Sequence, residues 1–291
     1  MTARSAIAKI VAQEDLNFLL TNRLPRRAAT RLMGRISRIE HPLVRSPSIA
    51  LWRFFADVDL SDAATTCYRS LHDAFTRALR DGARPADPSP DILASPCDAS
   101  VGACGRIKDD IVYQVKGFPY RLGELLGPTV AFDPFRGGSY ATLRLTAGMY
   151  HRFHAPHDGL VEHVTYISGD TWNVNPITLR RVERLFCRNE RAVIRMTLAV
   201  DGIPILLVPV AAILVAGIRL HFLDTERLLR HGGPRTVACQ ARLTKGEEMG
   251  WFEHGSTILV FSPSGVELCP QVVEGAKVRA GSPLMRLPGP S

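Results

Sequence analysis

The chain has 291 residues, of which 46% are hydrophobic and 22% charged, so it is long enough for one large domain or two ordinary ones. Such a composition buries a sizeable core and excludes a disordered, collagen-like or coiled-coil protein. The formal net charge is +8, and nearly all of it lies between residues 21 and 56, where eight arginines accompany one acid. We expect this segment to contact an acidic surface, either lipid headgroups or nucleic acid.

The first 85 residues are predicted to be helical. From Ala29 to Ile39 apolar residues recur at helical spacing, and arginines occupy the opposite side of the same helix. A second helix is predicted for residues 61–80, ending at Gly82. Residues 85–91 contain three prolines and are predicted to form a linker, because proline cannot continue a helix.

The basic amphipathic segment has two interpretations. Its apolar side could pack on the rest of the protein, with the arginines in solvent. Alternatively, it could lie in a membrane interface, with arginines on lipid phosphates and apolar side chains among the lipid tails. Composition alone does not separate the two. Nucleic acid is a weaker candidate, because the remaining sequence lacks the basic and aromatic pattern that stacks bases.

From about Ile92 the sequence changes to short β-rich runs separated by turn residues. We therefore predict an α+β fold, with a helical, basic N-terminal region (1–85) followed by a mainly antiparallel β domain (86–291). The most apolar stretch, residues 203–218, is shorter than the roughly 20 residues of a membrane-spanning helix and contains prolines. Because it follows a strand-like run and the turn pair Asp201-Gly202, we expect a buried β-hairpin.

The six cysteines are scattered along the chain, and none forms a Cys-x-x-Cys pair. A disulfide framework or a zinc ribbon would cluster them, so we predict free thiols and a reducing compartment. The N-terminus has charges that interrupt each apolar run and lacks a small-residue cleavage site. This pattern predicts no signal peptide there.

Three separated segments carry residue types that perform catalysis. Asp98 lies in a predicted tight turn, and His151 and His154 lie three residues apart. Ser256 follows Gly255 at the start of an apolar strand. Each alone has an ordinary explanation in turn chemistry or hydrogen bonding, and the histidines lack an acid or cysteine at metal-ligand spacing. Together, however, an Asp, a His and a Ser from separate segments can form a charge-relay set.

Several motifs follow one another along the chain. They are FTRALRDGARP (75–85), SPCDA (95–99), KGFPYRLGELLG (116–127), YHRFHAPHDG (150–159), NVNP (173–176), LFCRNERAV (185–193) and KGEEMGWFEHGST (245–257). In this order they resemble the phosphatidylserine decarboxylase family, pyruvoyl-dependent enzymes of phospholipid synthesis. The histidine motif and the Gly-Ser-Thr motif form a specific pair, and the resemblance covers the chain from about residue 52 to its end.

The resemblance implies a proenzyme that cleaves itself between Gly255 and Ser256. Ser256 attacks the carbonyl of Gly255, His154 is the general base, and Asp98 orients and stabilises its imidazole. The products are a larger beta chain (1–255) and a smaller alpha chain (256–291), about 28 and 4 kDa of the 32.0 kDa total. The alpha chain starts with a covalent pyruvoyl group derived from Ser256.

In turnover, the resemblance implies that the pyruvoyl group forms a Schiff base with phosphatidylserine and accepts the electrons left when CO2 departs, giving phosphatidylethanolamine. No metal and no pyridoxal phosphate are expected. We assign His151 to contacting the substrate phosphate or carboxylate, or to protonating the product.

A lipid substrate favours the membrane interpretation of the N-terminal basic helix. We therefore predict a peripheral protein on the cytoplasmic face of the cell membrane, with phosphatidylserine as substrate and no nucleic-acid partner. The mature protein is expected to be a heterodimer of its own alpha and beta fragments, and whether this heterodimer dimerises further is left open.

Two positions depart from the family pattern. Cys97-Asp98-Ala99 stands where Ala-Asp-Gly is usual, which alters the turn if the glycine needs a positive φ. His254 stands before Gly255 where leucine or valine is frequent, and it brings an extra imidazole to the scissile bond. Neither change removes a group that the chemistry requires.

Three other functions stay open on the sequence alone. A serine hydrolase could use Asp98, His154 and Ser256 without self-cleavage, and a degenerate relative could bind membranes and catalyse nothing. Both would persist as a single chain of 32.0 kDa. A pyruvoyl decarboxylase could instead act on another serine-bearing lipid or on a soluble phosphoserine compound.

Overall fold

The computed structural model describes residues 26–114, 118–212, 217–229, 234–253 and 256–289. The helices in these ranges are α1 (Arg26–Ile36), α2 (Pro42–Phe55), α3 (Leu71–Phe75), α4 (Leu122–Leu126), α5 (Pro176–Leu179), α6 (Leu185–Arg188) and α7 (Thr225–Leu229). The strands are β1 (Ile92–Ala94), β2 (Ala99–Arg106), β3 (Ile111–Tyr113), β4 (Pro119–Arg121), β5 (Ser139–Leu145), β6 (Arg152–His154), β7 (Gly159–Ile167), β8 (Arg191–Leu198), β9 (Pro204–Ala211), β10 (Ile218–Leu220), β11 (Pro234–Leu243), β12 (Glu248–Phe252), β13 (Ser256–Ser262), β14 (Glu267–Leu268), β15 (Lys277–Val278) and β16 (Pro283–Arg286). The two longest helices precede β1 and the named strands pair antiparallel, which confirms the predicted α+β class.

The N-terminal region is only partly as predicted. The amphipathic helix is present as α1, while residues 1–25 lie outside the described part. The helix predicted for residues 61–80 is wrong, because only α3 is helical there. The Ser70 side chain caps the start of α3, and Ala63 forms a β-bridge with Leu79, which folds the segment back on itself.

Helix α2 lies within the region predicted to be helical, although its own bounds were not predicted. It begins with Pro42, which the first turn of a helix tolerates, but Pro47 lies inside it and argues against a helix in the sequence. The helix lies on the surface and has no fully buried residue. It docks through Trp52, whose Nε1 donates to the carbonyl oxygen of Ala147 at 2.9 Å and whose ring centroid lies 5.8 Å from that of Phe75.

An antiparallel sheet forms the centre of the β domain, with the strand order β11-β7-β8-β9-β13-β5-β2-β15 among the described strands. Strand β13 lies inside this sheet, and all of its residues are buried. Both of its faces are covered, which is why its apolar residues form a continuous run instead of alternating with polar ones. Ser256, the first residue of β13, therefore begins its strand in the core.

The predicted hairpin is confirmed for β8 and β9, which pair antiparallel. The turn residues Asp201 and Gly202 both have positive φ, 52° and 60°, as the tightest hairpin turns require. Residues 213–216, at the end of the predicted apolar stretch, lie outside the described residues. Where helices are described, none is both long and apolar enough to cross a membrane.

Smaller sheets complete the β domain. Their strand orders are β10-β12-β6 and β1-β16-β14, and β3 pairs with β4. The segment from residue 256 to 289 thus supplies β13 and β15 to the large sheet and β14 and β16 to another. The predicted apolar strand that begins at Ser256 is confirmed as β13.

The predicted linker, residues 85–91, contains no helix or strand. It is nevertheless attached to the β domain. The Asp87 amide donates to the carbonyl oxygen of Gly281 at 2.8 Å, and Lys245 Nζ donates to that of Ser89 at 2.8 Å. The six cysteines are free thiols, as predicted.

Candidate active site

Ser256 lies at the start of β13 between two other strands. It pairs with Leu145 of β5 and Ala211 of β9, and it is completely buried. Its Oγ has no hydrogen-bond partner within the described part of the chain. Burying a hydroxyl in this way costs about 1–3 kcal/mol. Thr257 and Thr142 are buried with unpartnered hydroxyls in the same way within the described residues, so this feature agrees with a chemical role for Ser256 but is not specific to it. Gly255 and His254 lie outside the described residues.

His154 ends strand β6 and is held by two hydrogen bonds to its ring. Its Nδ1 lies 2.9 Å from the carbonyl oxygen of Gly246, and its Nε2 lies 3.1 Å from the hydroxyl of Tyr150. Because a carbonyl oxygen only accepts, Nδ1 carries the proton and Nε2 accepts from Tyr150. Burial lowers the pKa of His154, so the imidazole is neutral, with its basic lone pair at Nε2.

Asp98 is bound by an arginine that the sequence analysis did not select. Arg84 Nε donates to Asp98 Oδ1 at 2.8 Å, and Nη2 donates to Oδ2 at 2.7 Å. The Ala280 amide also donates to Oδ1, at 2.9 Å. Within the described residues Asp98 and His154 share no hydrogen bond, but the charge of Asp98 acts to raise the pKa of His154 against the effect of burial. The two residues therefore interact through space.

The alanine after Asp98 causes no difficulty. Ala99 is the first residue of β2 and is completely buried, so the backbone there is extended and a methyl group fits where the family usually has glycine. The other departure, His254, lies outside the described residues.

His151 is completely buried. Its ring centroid lies 3.9 Å from that of Phe75, which in turn contacts Trp52 of α2. Substrate therefore reaches this imidazole only after a neighbouring side chain moves. The substrate-binding role assigned to His151 stays a prediction.

Several residues of the site were not predicted from the sequence. Tyr150 and Arg84 both lie within quoted motifs, but their spacing does not reveal which group each one contacts. Arg77 belongs to the same motif as Arg84 and is 5% exposed. It donates through Nη2 to the carbonyl oxygens of Asp59 and Gly148. Burial lowers the pKa of Arg77.

The described histidines, cysteines and acids do not gather into a group of three that could hold a metal ion.

Comparison with known proteins gives one consistent result. The family model described as phosphatidylserine decarboxylase matches residues 71–286. A phosphatidylserine decarboxylase proenzyme of Pseudomonas fluorescens is 37% identical over 275 residues, covering 90% of this chain and 93% of the relative. A protein of the same description from Acinetobacter baumannii (strain SDF) is 32% identical over 259 residues, covering 88% and 90%. Another, from Anaeromyxobacter sp. (strain K), is 36% identical over 271 residues, covering 90% and 94%.

Proposed function

The chain belongs to the phosphatidylserine decarboxylase family, and we propose that it is a proenzyme whose Ser256 becomes the pyruvoyl group on which phosphatidylserine loses CO2. The product is phosphatidylethanolamine, so the protein is a carboxy-lyase of phospholipid synthesis. The assignment rests on the position of Ser256, which begins a strand directly after Gly255. Its buried Oγ has no hydrogen-bond partner within the described part of the chain.

Position 256 fits a pyruvoyl group. The site is completely buried between β5 and β9, and it offers the present hydroxyl no acceptor within the described residues. Conversion replaces that hydroxyl by a ketone. A ketone oxygen carries no hydrogen, so it needs no hydrogen-bond acceptor at this site. When present, the group supplies an electron sink for the carbanion left by CO2, which no ordinary side chain provides.

Self-cleavage starts from a protonated serine hydroxyl, which is a poor nucleophile and needs a base. His154 Nε2 carries the lone pair that takes this proton, because Nδ1–H donates to the Gly246 carbonyl. A bond forms between Ser256 Oγ and the carbonyl carbon of Gly255, the amide bond breaks, and its nitrogen becomes an amine. β-Elimination releases the carboxylate of Gly255 and leaves dehydroalanine, which takes up water and loses ammonia to become the pyruvoyl group.

Tyr150 and Asp98 set the properties of this base. The Tyr150 hydroxyl donates to Nε2 and so occupies the lone pair that must take the serine proton. During cleavage it either moves aside or passes the proton from Ser256 to Nε2. Gly246 orients the ring by its carbonyl, which is the task that the sequence analysis gave to Asp98. We assign Asp98 the electrostatic part of that role, because its negative charge favours the imidazolium that forms when His154 takes a proton.

Membrane association is proposed from the surface of the N-terminal region. Among the residues described there, four large apolar side chains are more than half exposed: Leu32, Leu43, Leu51 and Phe55. The same segment carries nearly all the net positive charge. An exposed apolar surface beside arginines is typical of a helix that lies in an anionic membrane interface. We propose peripheral binding at the cytoplasmic face, with residues 1–85 as the membrane-associating region and 86–291 as the catalytic domain.

The test is a product assay with two inhibitors. Protein incubated with phosphatidylserine vesicles should release CO2 and phosphatidylethanolamine in equal amounts, and Ser256→Ala should release neither. A ketone reagent such as phenylhydrazine should inhibit the mature enzyme, whereas a serine-directed phosphonate should not. Phosphonate labelling of Ser256 with lipid hydrolysis and no CO2 would instead establish a serine hydrolase. Decarboxylation of soluble phosphoserine but not of the vesicles would reject the lipid substrate.

A further inference from the structure

Glu253, two residues before Gly255, lies in a cluster of charges that we call the Glu253 cluster, formed with Arg38 and Arg219. Arg38 Nη2 lies 2.6 Å from Glu253 Oε1, and Arg219 Nε lies 3.1 Å from the same oxygen. The side chain of Glu253 is 3% exposed and that of Arg219 is 17% exposed. A carboxylate this deeply buried needs such partners, because desolvation of an unpaired charge is costly.

The main chain of Glu253 is held as well. Its amide donates to the carbonyl oxygen of Gly217 at 3.3 Å, and Arg219 lies opposite Trp251 in the ladder between β10 and β12. The close packing of these strands is shown by Gly250, where an added Cβ would lie 1.9 Å from the carbonyl oxygen of Arg219. Glu253 is therefore fixed to β10 through both its backbone and its carboxylate.

The other end of the segment is fixed too, because Ser256 is paired on both sides within the large sheet. Only two residues separate Glu253 from Ser256, and consecutive Cα atoms are about 3.8 Å apart. Holding both ends limits how far the bond between residues 255 and 256 can move relative to the base. A reacting bond must be placed to within a fraction of an ångström for efficient attack.

Arg38 brings the N-terminal region into this arrangement. It lies in the turn after α1, next to Ser37, which is completely buried. The carbonyl oxygen of Ser37 accepts a hydrogen bond from the His72 amide at 2.8 Å. His72 belongs to α3 and also faces the cluster: burial lowers its pKa, and the charge of Glu253 opposes that effect. The contact between Arg38 and Glu253 is therefore part of an ordered attachment of the turn after α1 to α3 and to the residue that follows β12.

We propose that Glu253, held by Arg38 and Arg219, is a positioning residue for self-cleavage, and that the turn after α1 must be docked for the chain to mature efficiently. The proposal rests on the proposed cleavage at Ser256. It gives the N-terminal region a second task besides membrane binding: Arg38 helps to hold the segment that contains the scissile bond. Glu253 itself exchanges no proton and forms no bond in the reaction.

The experiment follows cleavage of freshly translated precursor without membranes, by the loss of the 32.0 kDa chain. Arg38→Ala and Glu253→Gln should each slow cleavage by about 10- to 100-fold, and Arg38→Lys should restore part of the rate. The double variant should be no slower than the slower single variant, because both changes remove the same contact. Arg35→Ala is the matched control, since it removes an exposed arginine from α1 and should leave the rate unchanged.

Two further measurements distinguish a positioning role in cleavage from a role in stability alone. In the Ser256→Ala background, which cannot cleave, the thermal unfolding midpoint should change little with Arg38→Ala. Decarboxylation per pyruvoyl group in the fraction that does mature should match wild type. Cleavage of Arg38→Ala at the wild-type rate, additive effects in the double variant, or an equal fall in stability and turnover would overturn the proposal. Failure of wild-type protein to cleave would reject the proposed function instead.

Discussion

The two ring nitrogens of His154 have different partners, and this difference determines what the residue can do. Nδ1 faces the Gly246 carbonyl and Nε2 faces the Tyr150 hydroxyl, so the proposed base can accept a proton at one defined atom, Nε2. Asp98 acts on it only through space. The sequence indicated Asp98, His154 and Ser256 but neither Gly246 nor Arg84 as partners, because hydrogen bonds between residues far apart in the chain leave no local pattern.

Tyr150→Phe should lower the pH at which self-cleavage loses its activity. In the wild type, burial lowers the pKa of His154 from its ordinary value of 6.5, so the rate should be constant at neutral pH and fall only below that value as the base becomes protonated. The Tyr150 hydroxyl donates to Nε2 of the neutral ring, but after turning it accepts from the protonated Nε2, and this charge-assisted bond is the stronger of the two. Its loss therefore disfavours protonation and should move the inflection downward by up to about one pH unit. The measurement is the cleavage rate of fresh precursor between pH 4 and 8; an unchanged or raised inflection would show that the Tyr150 hydroxyl does not stabilise protonated His154.

Asp98→Asn should also lower this inflection. Burial lowers the pKa of His154, and the Gly246 carbonyl and the charges of Glu248 and Asp98 oppose that effect. Removal of the Asp98 charge should therefore lower the inflection and slow cleavage on the plateau, because the imidazolium loses a stabilising charge. Arg84 keeps an ion pair with Asp62 at 2.9 Å, which should preserve the fold, as circular dichroism can verify. An upward shift would show that Asp98 does not act on His154 by charge.

At the scale of elements, local signals in the sequence were reliable where they were strong. The Asp201-Gly202 turn marked the hairpin of β8 and β9, and a continuous apolar run marked β13. The helix predicted for residues 61–80 failed because tertiary contacts override a weak helical pattern. The bounds of α2 could not be predicted because Pro47 interrupts its sequence. Trp52 anchors this helix to the residues that cover His151.

The exposed apolar residues of α2 should determine membrane affinity. Leu43, Leu51 and Phe55 are 80%, 59% and 57% exposed, so serine at all three positions should remove contacts of about 1 kcal/mol each. Binding to phosphatidylserine-containing vesicles, measured by sedimentation, should weaken by about 100-fold. Val273→Ser, at an exposed apolar residue of the β domain, is the control and should bind like wild type; equal binding by the triple variant would show that α2 does not enter the interface.

At the scale of the whole molecule, the order of strands explains how the chain would stay together after the proposed cut before Ser256. β13 lies between β9 and β5, and β15 lies beside β2, all three of these neighbours belonging to the proposed larger fragment. β14 and β16 form a sheet with β1. A fragment of 36 residues is too small to fold alone, so it should remain bound under native conditions. This strand order is set by contacts between distant residues, which the sequence pattern of single strands does not reveal.

The most direct test of the account is the intact mass of the freshly purified protein under denaturing conditions, with Ser256→Ala beside it. We expect fragments of about 28 and 4 kDa from the 32.0 kDa chain, the smaller one lighter than its serine-terminated form by one ammonia, and an uncut Ser256→Ala chain. A wild-type chain that stays at 32.0 kDa on incubation, or a small fragment that begins with serine, would contradict a pyruvoyl group made from Ser256.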